Sequence, residues 1–220
     1  WSELAGNTVE RSGQGVLAGC RGSKIMNNTV STHLPFSTDY YYTRIARGGT
    51  VGVAVFEGYA RNCEIRGNRV ENFYTGIAVL DGYEELNVFD RADAVIADNT
   101  VRNCIHGFYH YRNSYNTARG AMHVTLSGNV LNGAGDSVSA GGKQRETYGI
   151  RLSDRCGEYA IRSNATDGFR YGAALGRMPD YMTLDANRFS NGRYGIFLDD
   201  LSGTGETGDI HLHDSDNTFS

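Results

Sequence analysis

"IRGNRVENFYTGIAVL", residues 65–80, decides the fold. Asn68 and Gly76 stand eight residues apart. Apolar residues sit three before the Asn (Ile65), two after it (Val70) and one after the Gly (Ile77). The same step joins Asn7 to Gly15, Asn99 to Gly107, Asn164 to Gly172 and Asn187 to Gly195. Asn28 with Gly52 and Asn129 with Gly149 fit once insertions are allowed, and Asn217 opens an eighth unit. Three residues before these Asn lie Leu4, Ile25, Ile65, Ile96, Leu126, Ile161 and Leu184. One after the Gly lie Val16, Val53, Ile77, Phe108, Ile150, Ala173 and Ile196. Apolar and polar residues alternate, which is the period of a strand and not of a helix.

Each unit therefore holds about three short strands separated by turns. Strands this short cannot bury a face alone, but stacked units enclose a continuous apolar interior. The Asn residues then line up at one turn, where their amides bond to backbone and to each other. The expected fold is all-β, a parallel β-helix of about eight coils with long loop insertions. Residues 1–220 read as a single β-helix domain. At about 4.8 Å per coil, the stack is roughly 40 Å long. Both ends fall inside a unit without a cap, which predicts a longer protein or ends covered by a partner.

The 220 residues include 29 Gly and only two Pro; a Gly share of about 13% is nearly twice the usual one. The formal net charge is −4, which gives no general attraction to nucleic acid or to an anionic membrane. No apolar run approaches the roughly 20 residues of a membrane-spanning helix. Cys20, Cys63, Cys104 and Cys156 are widely spaced. That is neither a disulfide framework nor a zinc pattern, and it suits small core residues or free thiols.

The pattern shared by "IRGNRVENFYTGIAVL", "IADNTVRNCIHGFYHY" (96–111) and "LDANRFSNGRYGIFL" (184–198) resembles the right-handed parallel β-helix repeats of the pectate-lyase-like superfamily. The resemblance covers essentially the whole chain. It implies the right-handed fold, with lyases, epimerases, hydrolases, phage tailspikes and adhesins among the functions that fold hosts. It also implies that the sheet following the repeated Gly bears the site. Mannuronan epimerases carry Asp-Pro-His-Asp there; Phe108, Tyr109, His110 and Tyr111 stand in its place. Polygalacturonase-type hydrolases carry an Asp pair, which Asp199 and Asp200 match. Their further Asp and Gly-His-Gly are missing, since the preceding coil offers Gly176 and Arg177.

If the residue after each Gly points inward, those at plus two and plus four point outward. The middle of those rows carries Tyr109, Tyr111 and Arg151. Long insertions surround the same coils: residues 35–49, 112–123 and 132–147. Loops on a rigid scaffold are where binding residues concentrate. A cleft over coils four and five would suit an acidic polysaccharide, with Arg151 pairing a uronate carboxylate. In lyase or epimerase chemistry a base and an acid then flank the adjacent carbon. The catalytic candidates are Tyr109, Tyr111, Arg151, His110 and Asp199, with His106 also near. The substrate-binding candidates are Tyr40, Tyr41, Tyr42, Arg112, Tyr115 and Lys143. The plain alternative is that the tyrosines cover apolar surface and Arg151 is a solvated strand residue.

His110 stands at plus three, an inward position, and reads first as a core histidine. His211 and His213 alternate near the C-terminus without a third ligand. Tyr148, Tyr171 and Tyr194 each precede a Gly and should stack as a structural ladder. Glu57, Asp81, Arg112, Asp154, Arg177 and Asp200 form a row at plus five, its signs alternating from Asp81 on, and should pair between coils. No Gly-rich nonapeptide calcium repeat appears, so the sequence calls for no cofactor and leaves calcium unsupported. The favoured function is an extracellular polysaccharide-processing enzyme, a lyase, epimerase or hydrolase acting on an acidic glycan; the alternatives are a glycan-binding tailspike or adhesin module and a non-catalytic scaffold. All three place the chain outside the cell, in the periplasm or on a virion. The partner would be a polysaccharide, with a flanking domain or a homotrimer around it.

Overall fold

Apolar residues at a two-residue period fold into short strands, and the turns between them bend the chain into coils. The computed structural model describes residues 2–19, 21–33, 36, 50–56, 62–80, 92–111, 122–152, 158–176, 181–198 and 211–220. These form a right-handed parallel β-helix with no α-helix among the described residues. Three parallel sheets run along it. The first has eight strands, from Glu3–Ala5 to His211–Ser215, and the second eight, from Thr8–Val9 to Thr218–Phe219. The third has seven: Gln14–Ala18, Val51–Phe56, Thr75–Leu80, His106–Tyr111, Tyr148–Leu152, Tyr171–Leu175 and Tyr194–Leu198. Each strand pairs with its counterpart in the next coil.

The repeated Asn residues form one continuous ladder at the turn between the first two sheets, buried from Asn28 to Asn187. Asn99 shows the pattern. Its Oδ1 accepts from the backbone N–H of Asn68 at 2.9 Å and from Asn68 Nδ2 at 3.0 Å. Its Nδ2 donates to Asn129 Oδ1 and to the Ile65 carbonyl, both at 2.9 Å. The chain of amides runs from Asn7 through Asn28, Asn68, Asn99, Asn129, Asn164 and Asn187 to Asn217. Each interior amide spends both N–H groups and both acceptor positions, which removes the penalty for burying it.

The residue before every ladder Asn is left-handed: Gly6, Asn27, Gly67, Asp98, Gly128, Ser163, Ala186 and Asp216, with φ between 52° and 67°. Four of these eight are neither Gly nor Asn. The turn geometry overrides their preference because the ladder bonds require it.

The repeated Gly has a different reason. A Cβ on Gly149 would stand 2.5 Å from the Gly172 carbonyl oxygen and 2.8 Å from Thr166 Cβ. On Gly107 it would stand 2.6 Å from the Gly149 oxygen. Gly is needed for close approach between coils, and its missing side chain would have pointed inward. The next residue points inward too: Val16, Val53, Ile77, Phe108, Ile150 and Ala173 all lie in the main core. Two consecutive inward positions break the strict alternation. The residue before the Gly and the residue two after it therefore share the outer face.

Along that face coils two and three are closed. Val51, Ala54, Ala78 and Leu80 form a buried cluster of their own. Phe197 packs against Tyr171 and Tyr194 with centroids 5.0 and 5.9 Å away. With Leu80 buried and Phe197 packed, the apolar residues of this face do not form a continuous exposed stripe among the described residues.

Candidate functional site

Along coils four to seven the two outward rows converge on one face, where Tyr109, Tyr148 and Arg151 are half-buried and Tyr194 is exposed, while Tyr171 and Ala174 are buried. Tyr109 and Arg151 are register partners on adjacent strands, as are His106 and Tyr148. The Arg151 guanidinium lies 4.4 Å from the Tyr148 ring centroid and 5.2 Å from that of Tyr109. Its Nη1 donates to His106 Nε2 at 3.3 Å. An arginine has only donors, so His106 accepts at Nε2 and its Nδ1 carries the proton. That Nδ1 then donates to Thr75 Oγ1, 3.2 Å away.

Three tyrosines enclose the imidazole. Tyr74, Tyr109 and Tyr148 lie 5.3, 4.9 and 5.4 Å from it, all edge-on or nearly so. His106 is only 3% exposed. Burial, and then the charge of Arg151, hold it well below the usual imidazole value. It is a neutral anchor for Arg151. The phenols are no readier to act as bases. Burial pushes Tyr74, Tyr148 and Tyr171 above the usual phenol value.

The tyrosines before the Gly stack as the sequence predicts. Tyr148 and Tyr171 are 4.9 Å apart with planes 10° from parallel, and Tyr171 and Tyr194 are 5.1 Å apart at 11°. Their faces are spent on each other, which leaves their edges and hydroxyls for other partners. Arg170 stands 5.6 Å from the Tyr171 centroid and Arg193 5.7 Å from that of Tyr194.

One wall of the site is a β-hairpin that the sequence presents only as an insertion. Strands Ser137–Ala140 and Lys143–Glu146 pair antiparallel. Gly141 and Gly142 turn between them, both with positive φ, as a two-residue hairpin turn demands. Ala140 and Val138 pack with Tyr74, Ile105 and Phe36. The hairpin ends at Glu146, which reaches the tyrosine ladder. Tyr148 donates to Glu146 Oε2 at 3.0 Å, Tyr171 donates to Oε1 at 3.4 Å, and Arg170 Nη2 is 3.3 Å from the same oxygen.

Of the candidates from sequence, Tyr109 and Arg151 come together here, and Lys143 stands exposed beside the hairpin turn. His110 is in the core, fully buried, with its Nδ1 hydrogen-bonded to the Tyr159 hydroxyl. Tyr111 belongs to its strand, but its side chain lies outside the described residues. So do Tyr40, Tyr41, Tyr42, Arg112, Tyr115 and Asp199, and the whole plus-five charge row with Asp200 and Arg177. His211 and His213 lie on a strand of the first sheet, in register with Tyr181 and Thr183. Their side chains also lie outside the described residues. His106, as the anchor of Arg151, and Glu146 are the residues the sequence did not single out. The signal for His106 was the row before the Gly, and for Glu146 the hairpin turn at Gly141-Gly142.

Comparison with known families gives one match. Residues 61–207, about two thirds of the chain, match the family described as "Periplasmic copper-binding protein (NosD)". No curated protein and no solved structure matches the chain. The family's description raises a copper centre, and the described residues do not fit one. No three His, Cys, Asp or Glu among them come close enough to hold a metal ion. Cys63 and Cys104 are buried, and burial pushes the Cys104 thiol up to about 12, far from the thiolate that a metal takes. Both ring nitrogens of His106 are engaged by Thr75 and Arg151. The repeat, the parallel sheets and the span of the match agree, and the chain belongs to the NosD family of periplasmic proteins.

Proposed function

We propose that the chain is a periplasmic β-helix that binds an acidic polysaccharide across the outer face of coils four to seven. Kinship with the pectate-lyase-like superfamily is part of the same proposal. One observation carries it: Arg151 is a cation held between two tyrosines, anchored by a neutral histidine, with no carboxylate partner among the described residues. Such a cation keeps its remaining donors for an incoming anion, and a uronate carboxylate suits guanidinium geometry. Lys143, Tyr111 and the insertions carrying Tyr40, Tyr41, Tyr42, Arg112 and Tyr115 would extend the contact.

Binding stands ahead of catalysis here. Elimination or epimerisation needs a base near neutrality. Tyr74, Tyr148 and Tyr171 are raised by burial, and His106 is buried with both nitrogens engaged. The test is calorimetric titration with polygalacturonate, alginate and neutral dextran, beside a watch for new absorbance from unsaturated sugar ends. Binding of the two polyuronates, no binding of dextran, and a tenfold or greater loss in Arg151→Ala are expected; a charged hydrogen-bonded pair contributes about 1.5–3 kcal/mol. Unsaturated products would move the assignment to a lyase. Equal affinity of wild type and Arg151→Ala would sink the proposal.

A further inference from the structure

Glu146 occupies an unusual position for a structural carboxylate. Its two oxygens are taken by two different tyrosine hydroxyls on adjacent coils, and one of them also faces Arg170. The arrangement is a carboxylate receptor, and a loose one. The Arg170 contact is 3.3 Å and the Tyr171 bond 3.4 Å, whereas charge-assisted N–H···O bonds settle near 2.7–2.9 Å. Arg170 Nε is buried and has no hydrogen-bond partner among the described residues. The Glu146 side chain is 44% exposed, and it arrives from the end of the hairpin, not from the sheet that carries its partners. It can leave without unpacking a coil.

Building on the acidic-polysaccharide reading above, we propose that Arg170, Tyr171 and Tyr148 form a second carboxylate subsite, one coil beyond Arg151, which Glu146 holds until a ligand carboxylate displaces it. Tyr148 and Tyr171 stack 4.9 Å apart, and Arg151 and Arg170 lie against those two rings in turn. Successive carboxylates of one polyuronate therefore meet successive arginines, and the polymer runs along the helix axis. An incoming carboxylate is free to adjust to Arg170 in a way that Glu146, fixed as the last residue of the hairpin strand, is not. No covalent step is involved; one anion replaces another, and Glu146 passes into solvent.

The experiment is calorimetric titration of trigalacturonate into wild type, Glu146→Gln, Arg170→Gln and the double variant, with maltotriose as the neutral control. Glu146→Gln should bind trigalacturonate about fivefold or more tightly, because a partly exposed ion pair no longer competes. Arg170→Gln should abolish that gain in the double variant, and maltotriose should respond to none of the changes. Should the glutamine variant fail a circular-dichroism check of its fold, Glu146→Ala gives the same comparison. Unchanged or weaker binding by Glu146→Gln, with Arg151→Ala still losing affinity, overturns the second subsite and leaves the first. Absence of trigalacturonate binding by every variant overturns both.

Discussion

Replacing Asn99 by Ala tests whether the amide ladder sets the stability of the coil stack. The change removes four side-chain hydrogen bonds at the centre of the solenoid. Two of the former partners keep others. Asn68 Nδ2 still donates to the Ile25 carbonyl at 2.8 Å, and Asn129 Oδ1 still accepts from the Asn99 backbone N–H at 3.0 Å. The Asn68 backbone N–H loses its acceptor inside a buried turn, which costs about 1–3 kcal/mol, and the other lost bonds add about 1 kcal/mol each. The expected loss is about 4–6 kcal/mol. With a urea slope of about 3 kcal/mol per molar for a chain of this size, the unfolding midpoint falls by about 1.3–2 M. Far-ultraviolet circular dichroism across a urea series measures it. The proper control is Asn217→Ala at the ladder's end. Asn217 donates to the Leu184 carbonyl at 2.9 Å and accepts from Asn187, but it is partly exposed, so water substitutes. That variant should lose about 1 kcal/mol. Equal shifts at the two positions, or a shift under about 0.3 M for Asn99→Ala, would refute the view that the ladder acts through buried, mutually satisfied amides.

Ala186 adopts φ 52° without the relief that glycine would give, so Ala186→Gly should raise stability by about 0.5–1 kcal/mol in the same urea series. Gly149→Ala should cost about 3 kcal/mol or more, since its methyl group would overlap the Gly172 carbonyl oxygen. His106 is neutral in the folded protein, while an unfolded chain binds a proton below about pH 6.5. Stability should therefore fall as pH drops from that value toward the lower folded one, and His106→Gln should flatten this limb of a stability–pH profile. Cys104, with its thiol at about 12 and fully buried, should resist iodoacetamide at mild alkaline pH until urea unfolds the chain, as mass spectrometry would read.

The coil count, the Asn ladder, the inward rows and the tyrosine stack were legible because each depends on residue identity repeated at a fixed step. The left-handed turns were not. Gly, Asn, Asp, Ser and Ala share that position, so backbone demand recurs there without a recurring letter. The site was half legible. Tyr109 and Arg151 came from the plus-two row, but strict alternation treats the row before the Gly as a separate matter. Two successive inward positions place both rows on one face, and that is how His106 and Tyr148 come to hold Arg151. The hairpin had a signal in Gly141-Gly142 between short β-forming runs, overlooked because the segment reads as a Gly-rich insertion. Glu146 depends on that hairpin and was hidden with it.

Successive ladder bonds span 21, 40, 31, 30, 35, 23 and 30 residues of chain, yet the amide geometry is nearly the same at each. Loop length and scaffold register are thus inherited separately. A segment between two coils can be lengthened, exchanged for another or trimmed to a bare turn while the anchor amides stay in step. For gene duplication this makes each coil a unit that can be copied with its loop free to diverge. For an engineer it marks the insertions as grafting points, where a new recognition loop can be set on the solenoid without redesigning the stack beneath it.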